Sequence, residues 1–134
     1  MRTICPLAFI AAALMAAPLA QAHHSFAAEF DINKPVKVTG VVTKLEWQNP
    51  HIWYYVDVKN DDGSVTNWAF SGSSPIQLMR RGIRKNVLEP GMIITVEGSR
   101  AKDGSNNAGG SKVTFQDGRS VFTTVADDPN EKKN

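Results

Sequence analysis

The stretch that most restricts the fold is His51-Ile52-Trp53-Tyr54-Tyr55-Val56-Asp57-Val58-Lys59, followed at once by Asn60-Asp61-Asp62-Gly63. Along an extended chain, Ile52, Tyr54, Val56 and Val58 fall on one side and His51, Trp53, Tyr55 and Asp57 on the other. The first set reads as the core face of a strand. Asn60 to Gly63 reads as a hairpin turn, and Val65 to Phe70 as the strand that returns.

Strand patterns dominate elsewhere too. Val36 to Trp47 forms a long first strand with Val36 and Val38 on one face and Val41, Leu45 and Trp47 on the other. That change of face around Gly40 predicts a bulge or sharp bend. Ser25 to Phe30 suits a single helical turn, with Ser25 as cap and Phe26 and Phe30 stacked four residues apart. After the hairpin a short helix is clearly punctuated. Ser74 caps it, Pro75 takes its first position, Arg80 and Arg81 suit its last turn, and Gly82 closes it. Ile76, Leu78 and Met79 supply its buried side. Glu89-Pro90-Gly91 is a tight turn, and Met92, Ile94 and Val96 alternate in a fourth strand. Ala101 to Gly110 reads as a flexible loop. Lys112 to Phe115 and Ser120 to Thr124 then pair across Gln116-Asp117-Gly118-Arg119.

The resulting order is long bent strand, strand, strand, helix, strand, hairpin. The expected fold is mainly β: a small five- to six-stranded OB-like barrel with one helix between strands 3 and 4. Closure would hide the sheet edges. A simple β-sandwich or an open sheet with one helix is the alternative.

The beginning of the chain reads differently. Arg2 is the only charge before Glu29, Ile4 to Leu19 is mostly apolar, and Ala20-Gln21-Ala22 is a small-x-small site. These are the three parts of a secretory signal. The competing reading is a retained anchor, but the run is broken by Pro6 and Pro18 and falls short of the ~20 residues a span needs. Cys5 lies too near the start to be a lipid-attachment cysteine. The expected organisation is a cleaved signal at 1–22, one β domain at 23–125 and a disordered polar tail at 126–134. Cleavage at Ala22–His23 places the protein in the periplasm or outside the cell, with no stable membrane anchor.

Removing 22 of 134 residues leaves 112, enough for one compact domain. Arg2 leaves with the signal, so 14 basic residues face 13 acidic ones. Charges of both signs are interspersed. Nucleic acid is excluded as a partner, because its binders carry a basic patch or stripe. The single cysteine also lies in the signal, so the mature domain has neither a disulfide nor thiol chemistry.

Several segments carry a resemblance. His23-His24-Ser25-Phe26, Trp47-Gln48-Asn49-Pro50-His51-Ile52-Trp53, Asn67-Trp68-Ala69-Phe70, and Pro90-Gly91 through Val96-Glu97-Gly98-Ser99-Arg100-Ala101-Lys102-Asp103-Gly104-Ser105 resemble a bacterial family of small exported proteins. That family is catalogued only as a domain of unknown function. The resemblance runs from His23 to about Phe122 and implies a secreted or periplasmic β-barrel domain. It brings no activity, ligand or catalytic residue.

Two constellations can carry chemistry. The only histidines are His23, His24 and His51. Cleavage before His23 frees an α-amine that chelates together with that residue's imidazole, and His24 or His51 completes a nitrogen set. Tetragonal nitrogen ligation favours Cu(II), which also heads the affinity order for divalent first-row metals. The plainer alternative is a solvated terminus and a turn histidine bonded to backbone. The second constellation is aromatic. Trp47, Trp53, Tyr55 and Trp68 lie on three adjacent strands, whose outer face is where OB-type barrels bind ligands. Exposed, they form a stacking platform for a planar ligand, a sugar or a peptide. Alternatively, Phe26 and Phe30 fold back over them as a minor core outside the barrel.

Catalytic signatures are mostly lacking. Phe70-Ser71-Gly72-Ser73-Ser74 has no G-x-S-x-G elbow. Asp57, Asp61 and Asp62 miss the calcium-loop spacing, and Asp103 to Gly110 lacks the Gly-Lys-Ser/Thr ending of a phosphate loop. The first expectation is an exported, non-enzymatic binding or accessory module for a small molecule or an envelope protein. The second is a copper protein. The third is a structural component of an envelope assembly.

Overall fold

The computed structural model describes residues 26–124. The signal at 1–22, His23, His24 and the tail at 126–134 lie outside the described residues.

A single helical turn, α1 (Phe26–Glu29), runs directly into β1 (Phe30–Glu46). β2 (Trp53–Lys59), β3 (Val65–Ser71), α2 (Pro75–Arg80), β4 (Ile93–Ala101), β5 (Asn107–Phe115) and β6 (Ser120–Phe122) follow, with one 3-10 turn at Lys85–Val87. Hydrogen-bonded neighbours run β3-β2-β1-β4-β5-β6, and β3 also pairs with β5. That last pairing, parallel from Ala69↔Asn107 to Ser71↔Gly109, turns the sheet back on itself. β1, β2, β3, β5 and β4 thus form a ring, with β6 attached to β5. The mainly β, OB-like plan is the expected one, and α2 stands between β3 and β4 as expected.

β1 makes the ring feasible because it is shared. Its first part pairs with β4 and its last part with β2, and Val41 pairs on both sides, with Asp57 and Ile93. A Cβ on Gly40 would lie 2.3 Å from the Asp57 carbonyl oxygen, so only glycine lets β2 approach there. The change of face does not fall at Gly40, however. The β1–β2 register shifts between Val42 and Lys44. Two residues of β1 pass one step of β2, which reverses the parity of everything after them. Val42 is therefore the buried residue, and Val41, expected to share a face with Leu45, is 39% exposed.

The ring is filled by Val42, Ile52, Tyr54, Val56, Phe70, Leu78, Leu88, Ile94, Val96 and Val113, all fully buried. Tyr54 stacks on Phe70 with centroids 5.4 Å apart, and its hydroxyl bonds Thr123 Oγ1 at 2.9 Å. Each large side chain removed from water contributes on the order of 1.5–3 kcal/mol.

Two sequence expectations need correction. The 101–110 segment is not one flexible loop, because β5 starts at Asn107. Its glycines serve close approach. A Cβ on Gly109 would sit 2.3 Å from the Phe26 ring, and one on Gly110 would sit 2.0 Å from the Tyr54 hydroxyl. In α2, the Ser74–Gln77 capping box and Pro75 start the helix as expected. Gly82 N–H donates to Met79 O and Ile83 N–H to Leu78 O, the paired bonds of a Schellman end. Yet only Leu78 of the expected apolar trio is buried; Ile76 is 53% and Met79 49% exposed. At about 100° per residue they lie roughly 160° and 100° around the helix from Leu78, and so short a helix touches the ring along one line. Ile83 and Leu88, after the turn, fill the remaining space.

Candidate functional site

The four aromatics singled out from the sequence do not form one platform. Trp53 and Tyr55 stand on the outer face of β2, half-buried. Trp68 stands inside, 9% exposed, with its ring 5.9 Å from Phe70. The reason is register. Lys59 pairs with Val65 across the hairpin, so Val56 pairs with Trp68 and Tyr54 with Phe70, and all four share the inner face. Trp47 lies beyond the end of β1, packed half-buried against the main core.

The outer face is built from cross-strand pairs. Lys44 opposes Tyr55 and Glu46 opposes Trp53 on one side; Ala69 and Ser71 oppose them on the other. The Tyr55 hydroxyl donates to Glu46 Oε2 at 3.1 Å, and the Lys44 ammonium bonds the other carboxylate oxygen. Lys44 Nζ also lies 5.5 Å from the Tyr55 ring centroid. The Lys44 ammonium, and then the Tyr55 hydroxyl, hold the Glu46 carboxyl below the usual carboxylate range. Desolvation, and then the bond to Glu46, push the Tyr55 phenol upward. Tyr55 is thereby kept a neutral donor, fixed in place beside Trp53.

Trp53 forms one wall of a cleft of about 390 Å³, within the range that holds small ligands. Ala28, Phe30 and Ala101 supply the other apolar surface, and Glu29, Lys102, Asp103 and Asn107 supply polar groups. Phe26 and Phe30 form a minor core of their own, with rings 5.1 Å apart, but its buried members are these two and Ala101 and none of the four aromatics they were considered to cover. Both phenylalanines pack with Ala101 and against Gly109. Phe30 and Trp53 both line the cleft.

The polar rim is held from within. Arg100 donates to the carbonyls of Ser105 (3.0 Å) and Gly104 (2.8 Å) and to Asn106 Oδ1 (3.2 Å). Its guanidinium lies 5.5 Å from the Trp68 ring centroid, which ties the 102–106 loop to the core. Lys102 N–H donates to Glu29 O at 2.9 Å and joins the loop to α1. Sequence reasoning missed Glu29, Phe30, Lys102, Asp103 and Asn107 as cleft residues. The β1–β4 ladder sets Phe30 opposite Ala101, and the β3–β5 pairing brings the Trp53 side of the hairpin and Asn107 together there; no local pattern announces the second pairing.

Of the three candidate metal ligands, His51 alone is described. It is half-buried, with Nδ1 3.0 Å from the Gly72 carbonyl oxygen. A carbonyl only accepts, so Nδ1 carries a proton, and in the neutral ring this leaves the lone pair on Nε2. Among the described residues, no group of three His, Cys, Asp or Glu side chains is placed to hold a metal ion.

Comparison with curated proteins found no match, and comparison with solved structures found none. A family model matches residues 11–112, beginning within the apolar N-terminal run and ending in β5. That span is more than half of the chain, and the model describes a family of unknown function (DUF6152), to which this protein belongs.

Proposed function

We propose that this protein is an exported binding or accessory module that takes a small molecule, or a segment of an envelope protein, in the cleft beside Trp53. Export rests on the leader-like sequence at 1–22. Binding rests on one observation: the Trp53 side chain lines a cleft together with the polar residues Glu29, Lys102, Asp103 and Asn107. Aromatic surface supplies affinity, and a few placed polar groups supply orientation. The test is a tryptophan-fluorescence titration with a planar heteroaromatic compound, a neutral oligosaccharide and a short peptide. One class is expected to bind, and Trp53→Ala is expected to weaken it at least about tenfold, the scale of one lost stacking contact. Silence from all three classes, or binding that survives Trp53→Ala, contradicts the proposal.

A second reading is copper binding through the free terminus of His23 with His24 or His51. Its support is the His51 geometry. A ring whose Nδ1–H is held by a backbone carbonyl, with Nε2 left for a ligand, is the usual arrangement behind a metal-binding histidine. Protein beginning at His23 should bind Cu(II) at submicromolar concentration with nitrogen hyperfine structure in its paramagnetic resonance. An added N-terminal Met, or His51→Ala, should weaken that binding markedly. Equal, weak binding by all forms rules this reading out.

A further inference from the structure

Apart from the cleft, the capping helix presents a surface that neither reading uses. Ile76, Met79 and Arg80 lie within about 100° of arc on α2, on the side away from Leu78. Both apolar side chains are about half exposed. Arg84 and Lys85 follow directly after the turn, and both are exposed. Arg80, Arg84 and Lys85 pair with no carboxylate among the described residues. No Asp or Glu occurs in the sequence between Asp62 and Glu89. Elsewhere the chain intersperses its charges, so this segment departs from the protein's own pattern.

We infer that this end of the ring is a docking surface for an anionic lipid bilayer. Charge complementarity calls for an anionic occupant, and the shape favours a fluid one. The apolar tips stand outward on a short helix, and they line neither the cleft beside Trp53 nor a shallower one between Met92 and Phe115. A partner protein would need a concavity to receive these tips, whereas a bilayer yields to them. Ile76 and Met79 enter the headgroup–acyl boundary while Arg80, Arg84 and Lys85 remain among the phosphates. Three cations and two partly inserted side chains give peripheral, reversible attachment, weakened by salt.

The test is vesicle flotation with protein purified from cells expressing the full chain. Vesicles are either wholly phosphatidylcholine or about one-third phosphatidylglycerol. Binding is expected to the anionic vesicles, to fall steeply in high salt, and to stay near background on zwitterionic ones. Arg80→Gln/Arg84→Gln/Lys85→Gln should weaken it on the order of 100-fold. Ile76→Ser/Met79→Ser should weaken it at least about tenfold. All five side chains are exposed, so unchanged thermal melting separates lost binding from lost folding. Equal binding to both vesicle types, or full binding by the charge variant, overturns the inference. Soluble polyglutamate bound as tightly as the anionic vesicles, with no loss on Ile76→Ser/Met79→Ser, overturns it in favour of an acidic protein partner.

Discussion

Two faces of one hairpin, a single residue apart in sequence, have opposite duties. On the inner face Tyr54, Val56, Trp68 and Phe70 are stacked and closed to water. On the outer face Trp53 and Tyr55 are half-buried, one beside a cleft and the other held by Glu46 and Lys44. Composition does not separate these faces, since each carries a tryptophan and a tyrosine. Surroundings do. Inside, aromatic area fills the ring; outside, the same chemistry lines the cleft proposed to take a ligand.

Truncating the inner face is the severest way to break the comparison. Phe70→Ala removes the ring between Tyr54 and Trp68 and should cost about 3–5 kcal/mol. Domains of this size have only about 5–15 kcal/mol in all, so urea unfolding should move to a much lower midpoint. A cost below about 1 kcal/mol would mean that the inner face is not the core.

Tyr54→Phe is the next test, and it has a pH signature. Burial raises the Tyr54 phenol far above its ordinary value near 10. The unfolded tyrosine ionises first as pH rises, so this group's contribution is intact below pH 10 and is lost progressively above it. Tyr54→Phe should cost about 1 kcal/mol at neutral pH, through the lost bond to Thr123. It should also flatten the alkaline decline in stability, read by denaturant titrations at increasing pH. An unchanged alkaline limb would place the titrating group elsewhere.

Outer-face changes should be smaller. Trp53→Ala is expected to shift stability by less than about 1 kcal/mol in the same unfolding assay while weakening ligand binding at least about tenfold. Smallest of all is Glu46→Gln, which should leave the unfolding midpoint almost unmoved, since surface ion pairs such as its bond to Lys44 are screened by water. Its readout is spectroscopic. Removing the carboxylate should lower the Tyr55 titration midpoint in an ultraviolet phenol titration. A midpoint that rises or holds would contradict the described bond.

The ring was legible in the sequence to the extent that it is local. Period-two alternation located β2, turn chemistry located the hairpin, and capping residues located α2. The inward direction of Trp68 was legible too, had the hairpin register been carried across from Lys59↔Val65 to Val56↔Trp68. The bulge after Val42 was not, because nothing in Val42-Thr43-Lys44 marks which residue is skipped. The cleft depends on residues near 30, 53, 101 and 107 meeting; the β1–β4 ladder sets Phe30 opposite Ala101, and ring closure brings the Trp53 side of the hairpin and Asn107 there. Ile76 and Met79 read as core by residue type, and their exposure follows from how little of α2 the ring can cover.

The most direct test of the division between faces uses 5-fluorotryptophan, incorporated at Trp47, Trp53 and Trp68 and assigned by replacing each with Phe. Fluorine resonances are followed while the three probe classes are titrated in. The account predicts that the Trp53 resonance shifts on binding while that of Trp68, closed inside the ring, stays in place. A shift at Trp68 with Trp53 unmoved would contradict it.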